Sequence, residues 1–267
     1  MIEFDAYLLA YGLLAGLLTG TAGGLLAGLA GLGGGLIYVP VFYALMPGEA
    51  GTISAPVMAS MGAIIFTGFF STRVHWRLGH VDIAAFRQLI PGLVLGASLG
   101  LWLTLKIPEA VVLAGLALLD GWIAWDYGRD VRPGGITSLP ELYAGPIGYI
   151  SGMLGIGGGT MLVPLLRRSL PLRQAVGTSA LCGMVMAASA VIINLLLESG
   201  WRTVLGHRIL FLAGAWLGIL LMLPRATHWG AALHDMLSEE MIRLSLKILF
   251  TTLSGGLLVA TLWRVLT

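Results

Sequence analysis

The chain has 267 residues, of which 57% are hydrophobic and 10% charged, with a mean hydropathy of +0.92 and a formal net charge of +2. An ordinary soluble domain carries about 25% charged residues, whereas apolar stretches of about 20 residues, enough to cross about 30 Å of hydrocarbon, recur here from end to end. This leaves no room for a soluble domain, and the lack of a basic tract interleaved with aromatics excludes nucleic acid as a partner. The chain reads as an all-α, polytopic helical membrane protein embedded in a lipid bilayer.

The opening stretch, MIEFDAYLLAYG, has Glu3 and Asp5 but no Lys or Arg. It lacks the positive region of a cleavable signal peptide and reads as the outer end of the first membrane segment. An interrupted apolar region covers 6–46. Gly12, Gly16, Gly20, Gly24 and Gly28 form an every-fourth-residue stripe there, followed by GLGGGLIYVP at 31–40. Helices are expected near 52–72, 84–105 and 109–127, the second carrying another stripe at Gly92, Gly96 and Gly100. Both stripes are surfaces for close approach of neighbouring helices; left exposed, they would also suit a homodimer.

A polar linker, YGRDVRPGGITSLPEL, interrupts the series, and the same order then recurs. A second interrupted region covers 141–168 and contains GIGGGTMLVP at 155–164. Helices follow near 173–198, 207–224 and 239–264, with 226–238 either an interfacial helix or a continuation of the one before. The division is therefore a first repeat at 1–127, a linker at 128–140 and a second repeat at 141–267. The two glycine motifs agree at six of ten positions across an offset of 124, and Pro47 and Pro171 keep the same offset. Trp76, Arg77, Leu78, Gly79 and His80 recur as Trp201, Arg202, Leu205, Gly206 and His207. Duplication of this kind is common in secondary transporters, which build a site where the repeats meet. Basic residues sort by side almost equally well for inverted and for parallel repeats. Inversion is favoured because it gathers both arginine-rich loops near the glycine motifs on one side.

Unpaired backbone costs several kcal/mol in hydrocarbon, so non-helical chain there must be surrounded by protein or line a water-filled cavity. Gly33, Gly34 and Gly35, and Gly157, Gly158 and Gly159, are therefore expected inside. A helix restarting after such a break presents free N–H groups and the positive end of its dipole, which attract an anion. Two such ends could face a single central site. Ser54, Thr160, Thr178 and Ser179 lie just beyond and could add hydroxyl donors without fixed charge.

GIGGGTMLVPLL followed by LPLRQAVGTSA resembles the signature of the TauE/SafE family of sulfite and organosulfonate exporters, over nearly the whole chain. The resemblance implies a multi-pass plasma-membrane permease with two homologous halves and a small anionic substrate such as sulfite, sulfoacetate or a related sulfonate. In the first copy GEAGTISAP replaces the expected run ending GTS, which separates Ser54 from the pattern.

Other residues carry weaker signals. Asp120 lies about mid-membrane in LALLDGWIAW, where an ionisable group is by default functional; it is a candidate proton carrier for coupling, or else pairs with a neighbouring helix. Asn194 is expected to hydrogen-bond across to another helix. Glu239 and Arg243 have surface-pair spacing, and Lys247 can snorkel. His75, His80 and His207 fall in expected loops without metal-site spacing. Cys182 is a lone apolar cysteine. Neither glycine run matches a nucleotide loop, and Ser179 with His207, the one imaginable nucleophile and base, lacks a nucleophile turn. No enzyme and no cofactor is expected. An anion channel and a non-transporting scaffold are the competing functions.

Overall fold

The computed structural model describes residues 6–30, 34–47, 53–126, 141–206 and 208–266. Every regular element among them is helical: α1 Ala6–Ala30, α2 Gly35–Leu45, α3 Ser54–Arg77, α4 Ile83–Leu103, α5 Glu109–Asp126, α6 Ala144–Leu154 after a 3-10 turn, α7 Gly159–Leu166, α8 Leu172–Leu197, α9 Gly200–Gly206, α10 Ile209–Met236 and α11 Glu239–Leu266. Six of these, α1, α3, α4, α8, α10 and α11, are long and apolar enough to cross a membrane. The expected linker at 128–140 lies outside the described residues.

One helix boundary differs from expectation, and one open alternative is decided. The helix expected to stop at 72 continues to Arg77, because nothing in STRVHWR breaks it; the break comes at Gly79, whose φ of 71° is a left-handed turn that favours glycine. The chain then restarts at Asp82, whose Oδ1 accepts the Ala85 N–H at 3.0 Å as a helix cap. The segment 226–238 continues α10 to Met236, and Pro224 is accommodated inside that helix.

The short helices α2 and α7 have 11 and 8 residues. At 1.5 Å per residue they reach about half the hydrocarbon thickness or less. Pro40 and Pro164 are each the sixth residue of their helix.

Both glycine stripes are used for packing inside the chain. Gly12, Gly16 and Gly20 of α1 lie against the backbone of Phe211, Ala215 and Ile219 of α10, so the two helices run parallel in register. A Cβ built on Gly16 would lie 2.0 Å from the Ala215 carbonyl oxygen. Gly92, Gly96 and Gly100 of α4 meet Ala144, Gly145 and Tyr149 of α6 in the same parallel fashion. Both stripes face a partner helix of the same chain, so the surface they were expected to offer a second copy is already covered. In contrast, α3 and α8 run antiparallel, with Gly68 against Met184 and Gly177 against His75 and His80.

Asn194 bonds across helices as expected. Its amide donates to Ser98 O and its oxygen accepts from Trp201 Nε1, tying α8 to α4 and to the buried Trp201. Near the same end, the Gly200 N–H and Trp102 Nε1 both donate to Glu198 and hold its carboxyl below the usual carboxylate range. The expected Glu239–Arg243 pair lies outside the described side chains.

Gly96→Ala should destabilise the protein by about 1–3 kcal/mol through overpacking, since its Cβ would sit 2.2 Å from the Gly145 carbonyl oxygen. Gly255→Ala, with open space around the new methyl, should be neutral or gain up to about 1 kcal/mol of helix propensity. Thermal unfolding of the two detergent-purified variants checks the contrast; equal melting temperatures would remove the stripe's packing role.

Candidate functional site

The break in the second glycine tract is a defined turn. α6 ends at Gly155 with φ 67°, Gly157 has φ 70°, and α7 starts at Gly159. A side chain at either positive-φ position would cost about 1–2 kcal/mol. The interrupted backbone is paired by its neighbours. Ser60 Oγ of α3 donates to Gly155 O at 2.5 Å, and Ile156 N–H donates to Ser151 O at 3.1 Å.

The start of α2 presses onto this turn. A Cβ on Gly35 would lie 2.0 Å from Ile156 O, so the two interrupted regions touch through backbone. Gly34 is buried and stacked against the Tyr38 ring. Gly33 lies outside the described residues.

A cavity of about 60 Å³ opens between the second break, one face of α3 and one face of α8. At roughly 15 Å³ per water it has room for about four waters or one small anion. Gly157, Gly158 and Gly159 line it, with Thr67, Ser71 and His75 from α3 and Ser179 and Gly183 from α8. The α3 residues follow helical spacing along one face. Ser179 is 1% exposed, and its Oγ has no hydrogen-bond partner in the described structure. A buried hydroxyl left unpaired costs free energy. Thr67 Oγ1 donates back to Ala63 O and Ile64 O within its own helix. The backbone nitrogens of Gly158 and Gly159 lie 3.5 and 3.9 Å from where a Cβ of Gly183 would be. Because residue 183 has no side chain, those amides are uncovered toward α8. They belong to the first turn of α7, whose N–H groups have no partner within the helix.

The expected site is thus brought together in part. Gly157, Gly158, Gly159 and Ser179 share the cavity, while Gly34, Gly35, Ser54, Thr160 and Thr178 do not line it. Thr178 is fully buried, and its Oγ1 accepts the Asp82 N–H at 2.9 Å, anchoring the α3–α4 turn to α8. Thr160 is buried with an unpartnered hydroxyl, and Ser54 is buried at the start of α3. Asp120 is fully buried on α5, which packs along α11; its carboxylate has no hydrogen bond in the described structure and does not line the cavity. Among the described residues only the second break lines the cavity, so the expected arrangement of two helix ends around one space is not found there; the two breaks touch through backbone instead.

Thr67, Ser71, His75 and Gly183 were missed in the sequence. His75 was placed in a loop because α3 was ended early; continued to Arg77, the helix puts Thr67, Ser71 and His75 on one face at i, i+4 and i+8. Gly183 carries no signal beyond being a glycine near Cys182.

Residues 15–258 match the family described as sulfite exporter TauE/SafE. A "Probable membrane transporter protein" of Haemophilus influenzae is 34% identical over 196 residues, covering 69% of this chain and 74% of that relative. No solved structure matches the chain. With its membrane-length helices, the protein is a multi-pass membrane transporter. It belongs to the sulfite exporter TauE/SafE family.

Ser60→Ala should cost about 1–3 kcal/mol, the penalty for leaving the buried Gly155 carbonyl without its donor. Ser98→Ala, whose hydroxyl only bonds back to Val94 O in its own helix, should change stability by less than about 0.5 kcal/mol. Paired denaturation curves decide whether the clasp on the break has this weight.

Proposed function

We propose that the protein exports small sulfur-containing oxyanions, sulfite or organosulfonates, across the plasma membrane by alternating access between two inverted halves, 1–127 and 141–267, joined by the linker 128–140. The observation that carries this reading is a cavity at a helix break where the Gly158 and Gly159 amides and the unpartnered Ser179 hydroxyl converge without an acidic side chain. Charge-assisted hydrogen bonds to such donors favour an anion. The cavity volume suits a group of about four heavy atoms, sulfite itself or the sulfonate head of a larger anion. The family's description supplies the sulfur chemistry.

Inversion of the halves is supported by packing. α3 and α8 hold the same place in their halves and run antiparallel, and α1 packs on α10 as α6 packs on α4. A pseudo-two-fold axis in the membrane plane relates partners in this way. The end of α3 and the start of α8 meet at Gly177, so STRVHWR and RRSLPLR come to one side of the molecule.

Sulfite and sulfoacetate should raise the melting temperature of the purified protein, because a ligand that binds only the folded state stabilises it by mass action. Stabilisation by simple carboxylates alone would refute the sulfur assignment, none by any anion would favour a scaffold, and conductance without saturation would favour a channel. Ser179→Ala should weaken the anion's Kd by about 10–150-fold, equivalent to about 1.5–3 kcal/mol for a hydrogen bond to a charged group. Gly183→Ala should fold normally, its Cβ making ordinary contacts from 3.5 Å outward, yet bind the anion more weakly because the methyl covers the amides. Isothermal titration with sulfite measures both variants.

A further inference from the structure

His75 stands out from the other residues around the cavity: it alone among the lining residues can carry a charge. All the others present backbone, hydroxyl or apolar surface. An anion in this space would be held by neutral dipoles alone, and a buried charge without a counter-charge is expensive. Imidazole is the side chain whose unperturbed titration falls in the physiological range, near pH 6.5.

The surroundings of His75 are polar and closely defined. His80 lies across the Gly79 turn with its ring centroid 5.9 Å away, and its N–H donates to the His75 carbonyl at 2.9 Å. The Nδ1 atoms of both rings are buried and have no hydrogen-bond partner in the described structure. From α8, the Gly177 backbone packs on both residues, leaving no side chain between them and the helix. The remaining charged groups at this end are Arg73 and Arg77 on α3, Arg168 after α7 and Arg173 at the start of α8, all exposed, the half-buried Arg167 at the end of α7, and Asp82 and Arg87 at the start of α4. Asp82 is engaged with the Ala85 N–H. No carboxylate lines the cavity to neutralise an imidazolium there in advance.

We propose that His75 is the proton-binding counter-charge of the cavity: each anion bound takes up one proton on the His75 imidazole. This rests on the anion-transporter reading above and names how that site is coupled. The imidazole takes its proton from the water on the side to which the cavity is open, forming the imidazolium, and returns it to water when the anion leaves. Anion and proton then bind with positive cooperativity, and linkage makes the effect reciprocal.

The test is isothermal titration of the purified full-length protein with sulfite and with isethionate, whose charge is constant between pH 6 and 8.5, in buffers of different ionisation enthalpy to count protons. Wild type should bind isethionate more weakly at pH 8.5 than at pH 6, by at most about tenfold per pH unit for one coupled proton, with uptake of about one proton per anion at the higher pH. His75→Gln should bind with little dependence on pH, and its proton uptake with sulfite should fall short of wild type by about one, a difference from which sulfite's own titration cancels. His75→Lys, with a fixed charge, should keep binding across the range without that uptake. Binding by wild type with no pH dependence beyond the ligand's own, or equal proton uptake in wild type and His75→Gln, overturns the proposal while leaving the substrate reading intact. If neither probe binds wild type at any pH, the substrate reading itself fails and the coupling falls with it. Should both variants fail to fold, the wild-type isethionate profile alone decides.

Discussion

A backbone amide or carbonyl in hydrocarbon must find a partner, because water is not there to supply one. Every unusual feature near residues 155–159 answers that constraint. Gly155 and Gly157 turn the chain in conformations that favour glycine, Ser60 supplies a donor to the carbonyl that the turn leaves open, and the start of α2 closes against Ile156. The first turn of α7, whose leading amides have no partner within the helix, then lies beside a glycine of α8.

The helices contact each other in two distinct manners. α1 with α10, and α4 with α6, approach so closely that a single added methyl would strike a carbonyl oxygen. Such contacts gain dispersion and weak Cα–H···O bonds over a long seam, and they leave little freedom to slide. The cavity sits instead where α3 and α8 cross in antiparallel sense, with side chains such as Met184 between them. The parallel pairs thus meet along backbone seams, whereas the crossing that lines the cavity is antiparallel.

Much of this was legible from residue type and spacing. Three adjacent glycines cannot form a one-faced stripe, so both tracts stood out as breaks, and period-four glycine stood out as a packing seam. The partner of each seam was not legible, because nothing in Gly12 or Gly96 names the helix it will meet; that is decided by how the chain returns. Of the residues expected at the site, some line the cavity and others do not. Ser179 and Gly157–Gly159 follow from the helix-start argument, but Thr178 looked equivalent to Ser179 in VGTSA and is turned one position around the helix toward the Asp82 amide. His75 was hidden by a boundary error of five residues. Gly183 acts by lacking a side chain, and an absence becomes meaningful only once the atoms it uncovers are known.

The pairing of α1 with α10 also constrains how the protein is made. Residue 209 leaves the ribosome long after α1 has entered the bilayer, a wait of about 10–40 s at roughly 5–20 residues per second. Throughout that interval the glycine face at positions 12, 16 and 20 meets only lipid, although it is shaped for another backbone. The nascent first half is therefore a sticky intermediate until the second arrives, open to mispairing with any helix that offers small residues. Its assembly depends on the insertion machinery shielding that face, or on lipid filling it, until translation is nearly finished.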